Sequence, residues 1–229
     1  MRKIVDEVIA RFRDGETILL TKEEEKAFVY CISDEGFLGC GTSRAVYELP
    51  GTNYVVKLAM SHGGVVQNHI EKTFFDEIGG DWLAHLYAHG QLINVMEKVD
   101  DCQYFCEWEY DDDSEEKTEI MNLIDTVDEL TGYDGGDNKQ VGYSSRINGW
   151  VVYDYGYGNY DEYSHSEMVD NVDYWMPAVS PIDNAYRIFR TGKIPTYQEL
   201  DTEAREYYNE QEEIESSYDY YEEDYYEED

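Results

Sequence analysis

Apolar residues along the chain switch between two periods, and the switches outline its elements. In "IVDEVIARF" (4–12), Ile4, Val8, Ile9 and Phe12 recur at helical spacing and Gly15 follows as a stop, which predicts a short amphipathic helix. "AFVYCIS" (27–33) reads as a strand, and Gly36, Gly39 and Gly41 punctuate the route into "RAVYEL" (44–49). Pro50 and Gly51 suit a type II turn, so "RAVYEL" and "NYVVKLAM" (53–60) are predicted to pair as an antiparallel hairpin. Strand side chains alternate faces, so Lys57 points away from the face shared by Val56 and Leu58.

The following stretch from Gly63 is helical, "DWLAHLYAHG" (81–90) helical or extended, and "QLINVMEKV" (91–99) a buried strand with a polar exit. Residues 100–118 form an acidic insertion or loop, and "IMNLIDTVDEL" (120–130) is amphipathic helix. "TGYDGGDNKQVGYSS" (131–145) is loop, and "GWVVYDYGY" (149–157) a strand ending in Asp154, Tyr155 and Gly156. "PIDNAYRIFRTGK" (181–193) is a helix with Asp183 near its start and Gly192 after it. From about Thr196 the sequence turns to Glu, Asp and Tyr, where like charges repel and few aliphatics remain to bury, so a disordered acidic tail is expected over 196–229.

Composition narrows the function classes. The 229 residues are 41% hydrophobic and 15% aromatic, which suits a folded core rather than wholesale disorder. Asp and Glu outnumber Lys and Arg by 52 to 17, leaving a net charge of -35 that argues against direct nucleic-acid binding through a basic face. A basic protein partner, met by the acidic surface or the tail, or a metal ion is easier to accommodate. No apolar run is long enough to span a bilayer and the first residues lack the form of a secretory signal, so no membrane association and a cytoplasmic location are expected. The 4 cysteines, Cys31, Cys40, Cys102 and Cys106, are too sparse for a disulfide framework.

One stretch stands apart from this acidity. Between Gly39 and Ala59 there are glycines, a β run, a tight turn and a lysine-bearing β run almost without carboxylates. Glycines at 39 and 41 let a backbone approach phosphate closely with its amides turned inward. Lys57 supplies positive charge, a helix glutamate at Glu71 would hold that ammonium, and Asp154 after a later strand would bind Mg²⁺. Each has a plainer reading: Lys57 as an exposed strand lysine, Glu71 displaced by Glu77 on the same helix, Asp154 as a residue ending a strand, and Arg44 as a surface arginine rather than a phosphate contact.

The order of these parts resembles the protein-kinase-like superfamily, over roughly residues 36–158. "GCGTSRAVY" matches the glycine-rich loop, "YVVKLA" the lysine strand, "QNHIEKTF" the helix glutamate, "NVMEKV" the hinge, "YDGGDNKQVGY" the catalytic loop and "VVYDYG" the metal-binding element. The form looks most like small kinase-like domains of bacteriophage proteins, which would put the chain in a host cytoplasm. The resemblance implies an α+β, two-lobed fold: an N-terminal helix and β-rich small lobe over 1–97, and a reduced, mostly helical large lobe over 98–195. It implies ATP and Mg²⁺ as cofactors, with Gly39, Gly41, Arg44, Lys57 and hinge Glu97 at the nucleotide, Asp154 and Gln140 at metal, and Asp134 orienting the nucleophile beside Lys57 and Glu71. The implied activity is ATP-dependent phosphotransfer to a protein or small-molecule hydroxyl.

The catalytic loop departs from the family pattern. Gln140 stands where that pattern has Asn, and Gly135 lies five positions earlier, so Asp134 fits only with one inserted residue and Asp137 only with two deleted. Two alternatives stay open: a catalytically degraded kinase fold acting by protein contact, and an acidic protein that imitates DNA and inhibits a nucleic-acid-binding protein. Asp81, His85 and His89 at helical spacing, and Cys102 with Cys106, are weak metal patterns.

Overall fold

A computed structural model of the chain describes residues 1–41, 43–79, 81–101, 115–131, 140–155 and 180–207. It is a mixed α+β structure organised on a six-stranded sheet. The order across that sheet is β1 (Ile18–Leu19), β5 (Leu86–His89), β6 (Ile93–Glu97), β4 (Tyr54–Ala59), β3 (Arg44–Glu48) and β2 (Phe37–Cys40). Only the β1/β5 pair is parallel. The predicted hairpin is β3 and β4, and Gly51 in its turn has φ 73, a conformation that a residue with a Cβ adopts at a cost.

Both faces of this sheet are covered. On one lie α1 (Arg2–Ile9), α2 (Lys22–Val29) and α5 (Pro181–Thr191), whose Val5, Phe28 and Ile188 join Tyr47, Val56 and Leu58 in one core. On the other lies α3 (His62–Ile78), whose Ile70, Phe74 and Phe75 join Val55, Leu86 and Met96. The same second core continues into α4 (Glu115–Thr131) and a three-stranded sheet of β7 (Asp100–Asp101), β8 (Gln140–Ser144) and β9 (Gly149–Asp154). Main-chain bonds tie the sheets together, with Ala84 N–H donating to Val152 O at 2.9 Å and Val152 N–H to Trp82 O at 3.0 Å.

Several elements differ from the sequence-based expectations. "AFVYCIS" is not a strand: Ala27, Phe28 and Val29 complete α2. The reason is a capping box, in which the Thr21 hydroxyl accepts from Glu24 N–H while the Glu24 carboxylate accepts from Thr21 N–H. Gln140–Ser144, expected in a loop, is a strand because it completes the ladder beside β9. The stretch 100–118 likewise holds a short strand at its start and helix from Glu115, its middle lying outside the described residues.

The C-terminal part also departs from expectation. α5, expected within a large lobe over 98–195, packs on the first core, with Asn184 Nδ2 donating to Met60 O at 2.8 Å. Where a tail was expected from Thr196, residues 197–207 form a further helix, α6, with Leu200 and Ala204 buried. A second capping box starts it: Thr196 N–H donates to Glu199 Oε2 at 2.9 Å and Glu199 N–H to Thr196 Oγ1 at 3.2 Å. Residues 208–229 lie outside the described residues. No described helix is long and apolar enough to cross a membrane.

Candidate functional site

Lys57 sits in β4 with Val56 and Leu58 committed to the first core, so its side chain projects to the α3 side of the sheet. There its Nζ meets Glu71 Oε1 at 2.5 Å and donates to the Tyr153 carbonyl at 2.7 Å. Glu71 is fully buried, one helical turn beyond Gln67 on α3, whereas Glu77 is exposed. Of the two glutamates weighed from sequence, Glu71 is therefore the one that meets Lys57. α3 comes this close because Gly64, in its first turn, has no side chain: a Cβ there would lie 2.3 Å from Ser43 O.

Arg44 and Asp154 complete a ring of alternating charges. Arg44 Nη1 lies 2.8 Å from Glu71 Oε2, and Nη2 lies 2.7 Å from Asp154 Oδ1. Lys57 Nζ is 3.4 Å from the same Asp154 oxygen. Arg44 and Lys57 are each 6% exposed, so neither is the surface cation of the plainer reading. Burial pushes the Asp154 carboxyl up, but Lys57 and Arg44 outweigh that and hold it below the usual carboxylate range. It is therefore an anion at neutral pH. Tyr155 lies behind the ring, its hydroxyl donating to Ala84 O at 3.0 Å and its pKa well above the ordinary value because it is buried.

Arg44, Lys57 and Asp154 of the ring line one wall of a cavity of about 580 Å³. Val46, Val55, Ala84, Met96 and Val99 line an apolar part, and Arg44, Lys57, Gln67, Gln140 and Asp154 a polar one. A pocket that is apolar at one part with converging charges at another suits a ligand with an aromatic body and an anionic end. Gly39 and Gly41 line it too, and a Cβ on either would meet no protein atom within 4 Å, so internal packing does not demand glycine there. Gln140 stands opposite Asp154 in the β8/β9 register, bringing two oxygen donors to the same edge of the cavity.

Glu97 lines the cavity, but its carboxylate is engaged elsewhere. Ser144 Oγ donates to Oε1 at 2.5 Å, and Arg146 Nε at 3.1 Å and His85 N–H at 3.2 Å share Oε2. That side chain joins β6 to the β8/β9 turn. Asp134 lies outside the described residues. The three-residue pattern of Asp81, His85 and His89 is not on a helix: His85 Nε2 accepts from Gly15 N–H at 2.7 Å, and His89 Nδ1 is 2.8 Å from Asn94 Oδ1.

Sequence reasoning missed Asn94. Fully buried in β6 and opposite Lys57 in register, it donates to Glu71 Oε2 at 2.9 Å and to Asn68 O at 3.1 Å, which fixes the glutamate in place. The available signal was a lone amide inside the apolar run "LINVM", since a polar residue at a core position requires partners. The chain matches no family model and no curated protein.

Proposed function

We propose that the chain is a protein-kinase-like, two-lobed domain that binds ATP in the cavity between the six-stranded and three-stranded sheets. The adenine occupies the apolar part lined by Val46, Val55, Ala84 and Met96, and the phosphates lie towards Gly39, Gly41, Arg44 and Lys57. The observation that carries this reading is Lys57 on the cavity wall, paired at 2.5 Å with the buried Glu71 behind it and with Asp154 held beside it. A strand lysine fixed by a helix carboxylate is a point charge at a set position, which is what phosphate positioning needs.

Asp154 and Gln140 are the oxygen donors that would hold a hard cation at the cavity edge, where Arg44 Nη2 already lies 2.7 Å from Asp154 Oδ1. Asp154 is anionic and Gln140 is its register partner, and Mg²⁺ takes one or two protein oxygens with phosphate oxygens as the rest. When bound, Mg²⁺ would supply charge neutralisation at the phosphates. Phosphoryl transfer to a hydroxyl would further require Asp134 as the group that orients the nucleophile.

Calorimetry of the purified chain with ATP tests the reading. Binding is expected, and Lys57→Ala should weaken it by roughly 10-fold or more, the loss of one charge-assisted contact. Saturable ATP binding unaffected by Lys57→Ala, or no binding by the unmodified chain, would remove it.

A further inference from the structure

Asp154, the carboxylate that fits a metal ion, already has a closer cation. Arg44 Nη2 lies 2.7 Å from Oδ1, against 3.4 Å for Lys57 Nζ. The guanidinium is not a passing surface group. Its residue opens β3 in register with Ala59, its side chain is 6% exposed, and its other terminal nitrogen is 2.8 Å from Glu71 Oε2. A planar fork held between two carboxylates keeps its position better than a flexible ammonium would.

The charges close without an added ion. Arg44 and Lys57 bring one formal positive charge each, Glu71 and Asp154 one negative charge each, and Asp154 stays anionic against its burial because both cations face it. In a phosphate site a divalent cation has two tasks: to screen the phosphate charge and to anchor that charge to an acidic side chain. Arg44 sits on the cavity wall and on Asp154 at once, so it is placed for both tasks.

We infer that Arg44 is the resident cation of this site, standing in for a divalent ion at Asp154, so that nucleotide binds without added metal. The inference rests on the nucleotide-binding reading above and assigns to it a metal-independent mode of phosphate recognition. Removing the guanidinium would leave Asp154 open, and binding would then come to depend on Mg²⁺.

The test is calorimetry of the full chain with ATP in excess EDTA and in excess Mg²⁺, for the unmodified protein and for Arg44→Gln. The unmodified protein should bind in both buffers with affinities within about 3-fold of each other. Arg44→Gln should lose about 10-fold or more in EDTA and recover most of that loss in Mg²⁺. ATP binding by the unmodified protein only in Mg²⁺ would overturn the inference while leaving the nucleotide site standing, and this comparison requires no variant to fold. Equal binding of Arg44→Gln and the unmodified protein in EDTA would overturn it as well. No ATP binding in either buffer would remove the nucleotide site itself, and the inference with it.

Discussion

Lys57 on β4 and Glu71 on α3 meet at 2.5 Å, and Asn94 from the neighbouring strand donates to the other oxygen of that glutamate at 2.9 Å. The pair lies in the second core, and Arg44 shares the same carboxylate. Removing one partner of a buried pair strands the opposing charge without water. Glu71→Gln should therefore destabilise the fold by about 3–5 kcal/mol in urea unfolding. The exposed Glu77→Gln should stay within about 0.5 kcal/mol of the unmodified protein, and equal effects would show that the ring contributes little to stability.

Gly64 sets how closely α3 approaches the hairpin. A Cβ there would be 2.3 Å from Ser43 O and 3.0 Å from the Ala59 Cα, both main-chain atoms that cannot swing aside. Gly64→Ala should cost about 1–3 kcal/mol despite the better helix propensity of alanine. A thermal melt with an unchanged or raised midpoint would mean that α3 has more room than this packing allows.

His85 makes stability depend on pH. Burial pushes its pKa down from 6.5 to about 4, Arg146 adds to that, and the opposing pull of Asp14 and Glu97 is smaller. The folded ring stays neutral and accepts the Gly15 N–H, while the unfolded chain takes up a proton below its ordinary pKa. The His85 contribution is therefore intact well above pH 6.5 and falls as the pH drops towards 4, by roughly 2 kcal/mol between pH 8 and 5. Urea midpoints at those pH values should converge in His85→Gln, and an identical pH slope in the variant would exclude His85 as the source.

The hydroxyls of Thr21 and Thr196 each cap a helix whose residues read locally as something else. Thr21→Ala and Thr196→Ala should each lower stability by about 1 kcal/mol. Far-UV circular dichroism during thermal unfolding would register both, and a Thr196→Ala melt identical to that of the unmodified chain would mean that α6 forms without its cap.

Glu97 separates a structural from a ligand role. Its carboxylate joins Ser144, Arg146 and the His85 amide, so Glu97→Gln should cost about 1–3 kcal/mol of stability. ATP affinity should remain within about 3-fold, and a larger loss of binding in a folded variant would return the carboxylate to the nucleotide.

The sequence by itself determined the local geometry around Lys57. Pro50 and Gly51 prescribed the hairpin turn, strand alternation put Lys57 on the face opposite Val56 and Leu58, and the order of Lys57, Glu71 and Asp154 marked residues that the fold does bring together. The caps at Thr21 and Thr196 were legible too, as a threonine with glutamate three residues on, but the apolar run "AFVYCIS" and the acidic flank of Thr196 masked them. Tertiary structure alone decided that Arg44 closes the ring, that Asn94 braces Glu71, that the Glu97 carboxylate serves the β8/β9 turn, and that α5 and α6 cover the first core. Periodicity reports which face of an element is buried, because that follows from backbone geometry over a few residues. It does not report which charge meets which, because Arg44 and Asp154 are 110 residues apart and their contact exists only once two sheets and α3 have packed.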